Sequence, residues 1–201
     1  MLNDDSPSKN RHIQAIEETR RNPRSRLAIG CHEAGHAVVA HALDHVVSGI
    51  EWATGRLPVT HWEIRPQHPD TDGRWVATTL GGYIATKKGF PEKRVLNLAG
   101  AASDFAEIDR KRRAEFRLFI NDDGLWCSFV RVSYAQAQRI VRDEWDVIRA
   151  MGEAFAELSE AGDVRWGIVE VNDFLEPVRR RRFDASPWLR FGSPRAPART
   201  R

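Results

Sequence analysis

"CHEAGHAVVAHALDH", residues 31–45, puts four histidines within fifteen residues, and its reading decides how the rest of the chain is understood. On an α-helix, residues four apart lie about 40° apart around the axis, so His32 and His36 present their imidazoles on one face, one turn apart. That pair can grip one metal ion. Glu33 lies about 100° round from His32, close enough to flank the ion without ligating it, which is where the general base for a metal-activated water has to stand. The pattern is H-E-x-x-H, and the chemistry it suits is zinc-assisted hydrolysis of an amide. His41 and His45 repeat the i, i+4 spacing. Position 41 is about 180° from position 32, however, and Ala42 stands where an acid would be needed, so these two are read as surface or interface histidines. His61 and His68 carry weaker signals still.

Working outward, Asn22-Pro23 reads as a helix start, and Leu27, Ala28, Ala34, Val38 and Val39 recur near the helical period. The helix is expected to run from about Pro23 to Val47 and to end near Ser48-Gly49. The small residues Ala34, Gly35 and Ala37 permit a close neighbour. Ahead of it, residues 1–8 read as disordered and 9–22 as a short polar helix. Residues 50–90 change character: "VTHWEIRP" (59–66) and "RWVATTL" (74–80) are β-prone runs separated by "QHPDTDG", which predicts a small antiparallel sheet. Pro91 then opens a predicted helix with Val95, Leu98, Ala99, Ala102 and Phe105 on its buried side. Residues 121–162 read as a long helical stretch with a break or two, and 163–176 as a last helix stopped by Pro177. The fold class is α+β, mostly α-helical with a small antiparallel β-sheet insertion.

Composition limits the remaining possibilities. The chain has 201 residues, enough for one domain with a real core, and 41% hydrophobic content. No apolar run approaches the ~20 residues that span a bilayer, and the N-terminus lacks the apolar middle of a signal peptide, so no membrane segment is expected and the location reads as cytoplasmic. Cys31 and Cys127 are read as free thiols. The net charge of +3 conceals an asymmetry: residues 178–201 carry eight Arg against Asp184 alone, a net of +7, which leaves −4 for the rest. A mildly acidic body gives no reason to expect specific nucleic-acid binding. The organisation read from this is a polar N-terminal segment (1–22), a domain (23–177) and an Arg-rich disordered tail (178–201).

A catalytic zinc needs a third protein ligand. Val39 and Ala42 exclude the extended H-E-x-x-H-x-x-G-x-x-H form, so a downstream acid is required. Glu63 and Glu92 sit in strand-like or turn contexts, and "NDDG" at 121–124, opening a long helix, is better placed. With these residues in view, "LAIGCHEAGHAVVAHAL", the strand-like "VTHWEIRP", "LNLAGAASDFAE" and an "ND" opening a helix together resemble the peptidase domain of the FtsH-type ATP-dependent zinc metalloproteases, over about residues 25–175. The resemblance implies a zincin-like metallopeptidase fold, Zn2+ held by His32, His36 and an Asp from the "ND" helix start, and Glu33 as base. In that family an L-G/A-G-x-A-A-E helix follows the histidine motif. Asp123 fits the family's small residue four positions on, through Cys127; Asp122 fits the Asn-Asp pairing and is the alternative ligand. If Cys127 follows the ligand by one turn it lies near the metal, although a buried inert thiol is the simpler reading. The chain shows no membrane anchor and no G-x-x-x-x-G-K-[ST] phosphate loop, and is expected to act as a stand-alone peptidase-like domain on unfolded or loop segments, or with an ATPase or homo-oligomer partner. A substrate strand would lie along the edge of the 59–80 sheet. Two rivals come from other classes. One is a metal-stabilised regulatory or interaction domain without useful catalysis, with "SPWLRF" (186–191) as a docking segment; the other is a nucleic-acid-associated regulator working through the tail, whose binding would weaken steeply with salt.

Overall fold

The computed structural model describes residues 16–65, 70–92, 101–114 and 122–182. Its central element is helix α1 (Pro23–Ala42), which starts where the Asn22 side chain accepts hydrogen bonds from the backbone N–H groups of Arg24 and Ser25 and Pro23 takes the first turn. Almost every residue of α1 from Ala28 onward is buried, histidine motif included. A helix buried on all sides needs small residues where neighbouring backbones cross it. Gly35 meets Gly81 of helix α2 (Thr71–Gly89), where an added Cβ would lie 2.6 Å from the Gly81 carbonyl oxygen and 2.6 Å from the Ala85 Cβ. Gly152 of helix α5 (Trp145–Ala161) lies against Cys31 in the same way.

The rest of the fold is mostly helical with a small sheet, as the sequence led us to expect. Helix α3 is Ala101–Ala114, α4 is Asp123–Asp143, and α6 is Ile168–Leu175. The predicted long stretch 121–162 is α4 and α5, broken at Glu144. Among the described residues the sheet has three antiparallel strands in the order β2-β1-β3: β1 Val46–Trp52, β2 Val59–Glu63 and β3 Val164–Trp166. Thus β2 is an edge strand, paired through Ile50↔Thr60 and Glu51↔Val59, with an irregularity between Val47 and Gly49.

Several expectations are corrected here. Helix α1 stops at Ala42, not near residue 48. Asp44 turns the chain with a positive φ of 64°, Arg74 donates a hydrogen bond to the Leu43 carbonyl at 2.6 Å, and the β-branched pair Val46-Val47 opens a strand. "RWVATTL" is helix, not strand: it lies inside α2, between α1 and α4. Burial on nearly every face erases the polar stripe by which such a helix is recognised, and Asp72 in its first turn and Lys87 and Lys88 in its last suit the helix dipole. On α3 the buried residues are Ala101 and Ile108, while Ala102 is exposed and Phe105 is 44% exposed; Val95, Leu98 and Ala99 lie outside the described residues, as do 1–15 and His68. His45 is buried and stacked on Trp62 at 5.2 Å, so it is no surface histidine. Cys31 is buried and Cys127 exposed, both as free thiols. Among the described residues no helix is long and apolar enough to cross a membrane.

Candidate metal centre

His32 and His36, in the middle of α1, turn their rings toward α2 and α3. The His36 Nδ1–H donates to the Thr78 carbonyl oxygen at 2.9 Å, and the His32 Nδ1 lies 3.2 Å from the Thr86 hydroxyl, which itself donates to the Gly82 carbonyl at 3.0 Å. With its proton engaged on one side, Thr86 can only accept from His32, so both rings carry their proton on Nδ1. The two Nε2 atoms then face each other 3.1 Å apart, where each can meet a metal ion or a proton. The Asp104 carboxylate closes the triangle: its Oδ2 is 3.2 Å from the His32 Nε2 and 3.4 Å from the His36 Nε2.

Three electron-pair donors that close repel one another unless a cation or a proton sits between them. The Asp104 Oδ2 is buried and accepts no hydrogen bond of good geometry. Around an ion at the ~2.0–2.1 Å typical of zinc to imidazole or carboxylate, a tetrahedron has edges of about 3.3 Å, close to the three separations found here. The second observation of fit is Gly82: a Cβ there would stand 2.7 Å from the His32 Nε2 and closer still to the His36 Nε2, so only glycine leaves the space under the donors open. The donor set of two imidazoles and one carboxylate could hold a metal ion. Without an ion, burial lowers the His36 pKa, but the Asp104 carboxylate beside it, helped by Glu33 and the Thr78 carbonyl, outweighs this and pushes His36 up to about 9. Asp104 moves the opposite way: burial works against its ionisation, and the two histidines hold it well below the usual carboxylate range.

Glu33 sits beside this triangle, 5% exposed, its Oε2 accepting a 2.7 Å hydrogen bond from the Thr60 hydroxyl of β2. The four residues line a cavity of about 420 Å³ together with Leu57, Val59, Thr60, Trp62, Trp75 and Thr79. Leu57 and Val59 on the rim are 40% and 46% exposed.

The structure brings His32, Glu33 and His36 together and does not bring Asp122 or Asp123 to them. Asp123 is exposed and pairs with Arg112 at 2.5 Å; the Asp122 side chain caps α4 by accepting from the Leu125 N–H at 2.7 Å. An Asn-Asp pair at a helix start is also what plain helix capping selects, which is why it misled. The acid among the described residues that completes the cluster is Asp104, in the first turn of α3. Its signal was present inside "LNLAGAASDFAE": an acid two residues past the small-residue run Gly100–Ala102. No family model matches the chain, and no curated protein matches it. Burial, then the nearby Glu153 charge, push the Cys31 thiol up to about 12, so it stays protonated and takes no part.

Proposed function

We propose that the protein is a zinc-dependent metallopeptidase that hydrolyses peptide bonds in unfolded or looped polypeptide, with His32, His36 and Asp104 as ligands and Glu33 as general base. The observation that carries the reading is the convergence of the three donors, 3.1–3.4 Å apart, beside a buried carboxylate that is not one of them, at the floor of an open groove. A closed structural site would fill its shell with a fourth protein ligand and would need no base. A zinc ion held there supplies Lewis acidity, which polarises a carbonyl and makes water a nucleophile near neutral pH. The chain does the rest. Glu33 takes the proton of the attacking water and returns it to the leaving amine, and the β2 edge, open among the described residues, receives an extended substrate.

The likeness to FtsH-type peptidases supports this reading once its register is moved. Leu80-Gly81-Gly82 of α2 fits the family's L-G/A-G better than Leu98–Gly100, and Gly82 lies under the two histidines. The metal acid then moves one step earlier too, from the "ND" helix start to Asp104.

The test is zinc content by elemental mass spectrometry, with cleavage of a casein-like unfolded substrate in parallel. About one zinc per chain is expected, lost in Asp104→Ala, kept in Asp123→Ala, and kept in Glu33→Gln while cleavage disappears. Zinc retained by Asp104→Ala overturns the ligand set. Zinc bound without any cleavage in the unaltered protein overturns the peptidase and favours the regulatory domain.

A further inference from the structure

Glu33 poses a chemical problem. It adjoins a metal ligand in sequence, is buried with the cluster, and carries an anionic oxygen pair of the kind zinc binds readily. The helix sets Glu33 beside the ion and not on it, but a side chain free to rotate there could swing its carboxylate into the shell as a fourth ligand, leaving no base and no open position. Something has to hold it off.

We infer that Thr60 is a positioning residue that keeps the Glu33 carboxylate out of the metal's coordination shell and aimed at the open position; this rests on the peptidase reading above. Among the described residues, the Thr60 hydroxyl is the donor to that carboxylate, at 2.7 Å from Oε2, and it lies 3.0 Å from Glu33's own carbonyl oxygen. The two distances fix the hydroxyl against both the backbone and the head group of the same residue. Thr60 is itself held in place: it is paired with Ile50 of the central strand, and its β-branched side chain has few rotamers in a strand. The donor therefore comes from a part of the molecule other than the one carrying the histidines. Because β2 is also the edge that lines the groove, the contact ties the orientation of the base to the strand on which a substrate would lie.

The test compares Thr60→Val, which keeps the branched shape and strand preference but removes the hydroxyl, with Thr60→Ser, which keeps the hydroxyl. Each is loaded with cobalt in place of zinc, because the visible absorption of cobalt reports the ligand set without requiring turnover. In Thr60→Val the absorption bands should shift as the Glu33 carboxylate takes the open position in place of water, and the double variant Thr60→Val/Glu33→Gln should restore the unaltered spectrum. Thr60→Ser should match the unaltered protein. With zinc, Thr60→Val should lose about 10–100-fold in kcat with KM within about twofold, while Thr60→Ser stays within about threefold. An unchanged cobalt spectrum in Thr60→Val, or a Thr60→Ser that falls as far as Thr60→Val, overturns the role. If the unaltered protein binds cobalt but cleaves nothing, the peptidase reading fails while the spectra still decide what Thr60 does. An unaltered protein that binds no cobalt overturns both.

Discussion

The candidate metal centre depends on single atoms, and Gly82 is the sharpest case. Its missing side chain is the space beneath the two Nε2 atoms, so Gly82→Ala should abolish zinc binding outright, whereas an alanine elsewhere in a helix is a mild or stabilising change. Zinc stoichiometry read beside far-ultraviolet circular dichroism checks this: lost metal with retained helix is the expected pair of results, and a variant that still binds one zinc would contradict the site. The same atoms set a pH dependence. His36 rises from about 6.5 in an unfolded chain to about 9 in the metal-free fold, so its contribution to stability is complete below about 6.5 and is lost as pH climbs through 9. Asp104 is depressed, so its contribution is present above about 4 and is lost as pH falls toward its lowered value. The chelated protein should therefore be most stable between about pH 4 and 6.5. Zinc competes with the His36 proton, and so the stabilisation it adds should grow from pH 5 to 8. Thermal melts with chelator and with zinc measure both trends, and a zinc increment that is flat with pH would exclude a proton shared by His36 and Asp104. Of these residues, His32, Glu33 and His36 were legible in sequence because one helical turn contains them. Asp104 was not, because its place beside them is made by a helix crossing some seventy residues downstream.

At the scale of elements, what was legible followed the visibility of a polar face. α4 and α5 each keep one, and their pattern over 121–162 is that of two helices with a break. α2 has almost none, so its Val, Thr and Trp content read as strand; tertiary packing overrode local preference. β1 was hidden because Val46 and Val47 continue the apolar pattern of α1, and β3, three residues long, is too short to carry a pattern. The α1–α2 crossing sets how close the histidine-bearing helix comes to Gly82, and Gly35 makes that distance possible. Gly35→Ala would place a methyl group against the Gly81 carbonyl and the Ala85 Cβ, with backbone on one side and a short side chain on the other, so the helices have to part. Destabilisation of about 1–3 kcal/mol is expected from overpacking of this kind. Urea unfolding should show a lower midpoint with an unchanged slope, and zinc affinity should fall with it, since a separated pair of helices no longer holds the Thr78 carbonyl against His36. A fall in stability with unaltered zinc affinity would mean that the crossing supports the fold and not the site.

At the scale of the whole molecule, the question is what holds the far end of α1, since the histidines are only as fixed as the helix that carries them. The Arg-rich stretch, expected to be loose from residue 178, is in fact docked as far as it is described. Val178 is buried, the Arg181 backbone N–H donates to the Ala42 carbonyl at the end of α1, and its guanidinium donates to Asp143 and Glu144 at 2.8 Å each. Arg180 pairs with Asp44 beside it. A cation placed where α1 and α4 both end also meets the negative ends of two helix dipoles. Arg181 therefore joins the last turn of the histidine-bearing helix to the α4–α5 junction, with its side chain only 20% exposed. Arg181→Ala should cost about 1–2 kcal/mol, the range for hydrogen bonds to charged groups reduced for the exposure of Asp143. Arg181→Lys should recover only part of this, because a single ammonium cannot serve two carboxylates in the fork geometry of a guanidinium. The difference between unaltered protein and Arg181→Ala should shrink as salt is raised from 0.05 to 0.5 M (about 14 to 4 Å of screening length), since the partners stand near the surface. A difference that does not change with salt would place the loss in packing around Val178 and not in the charge clamp.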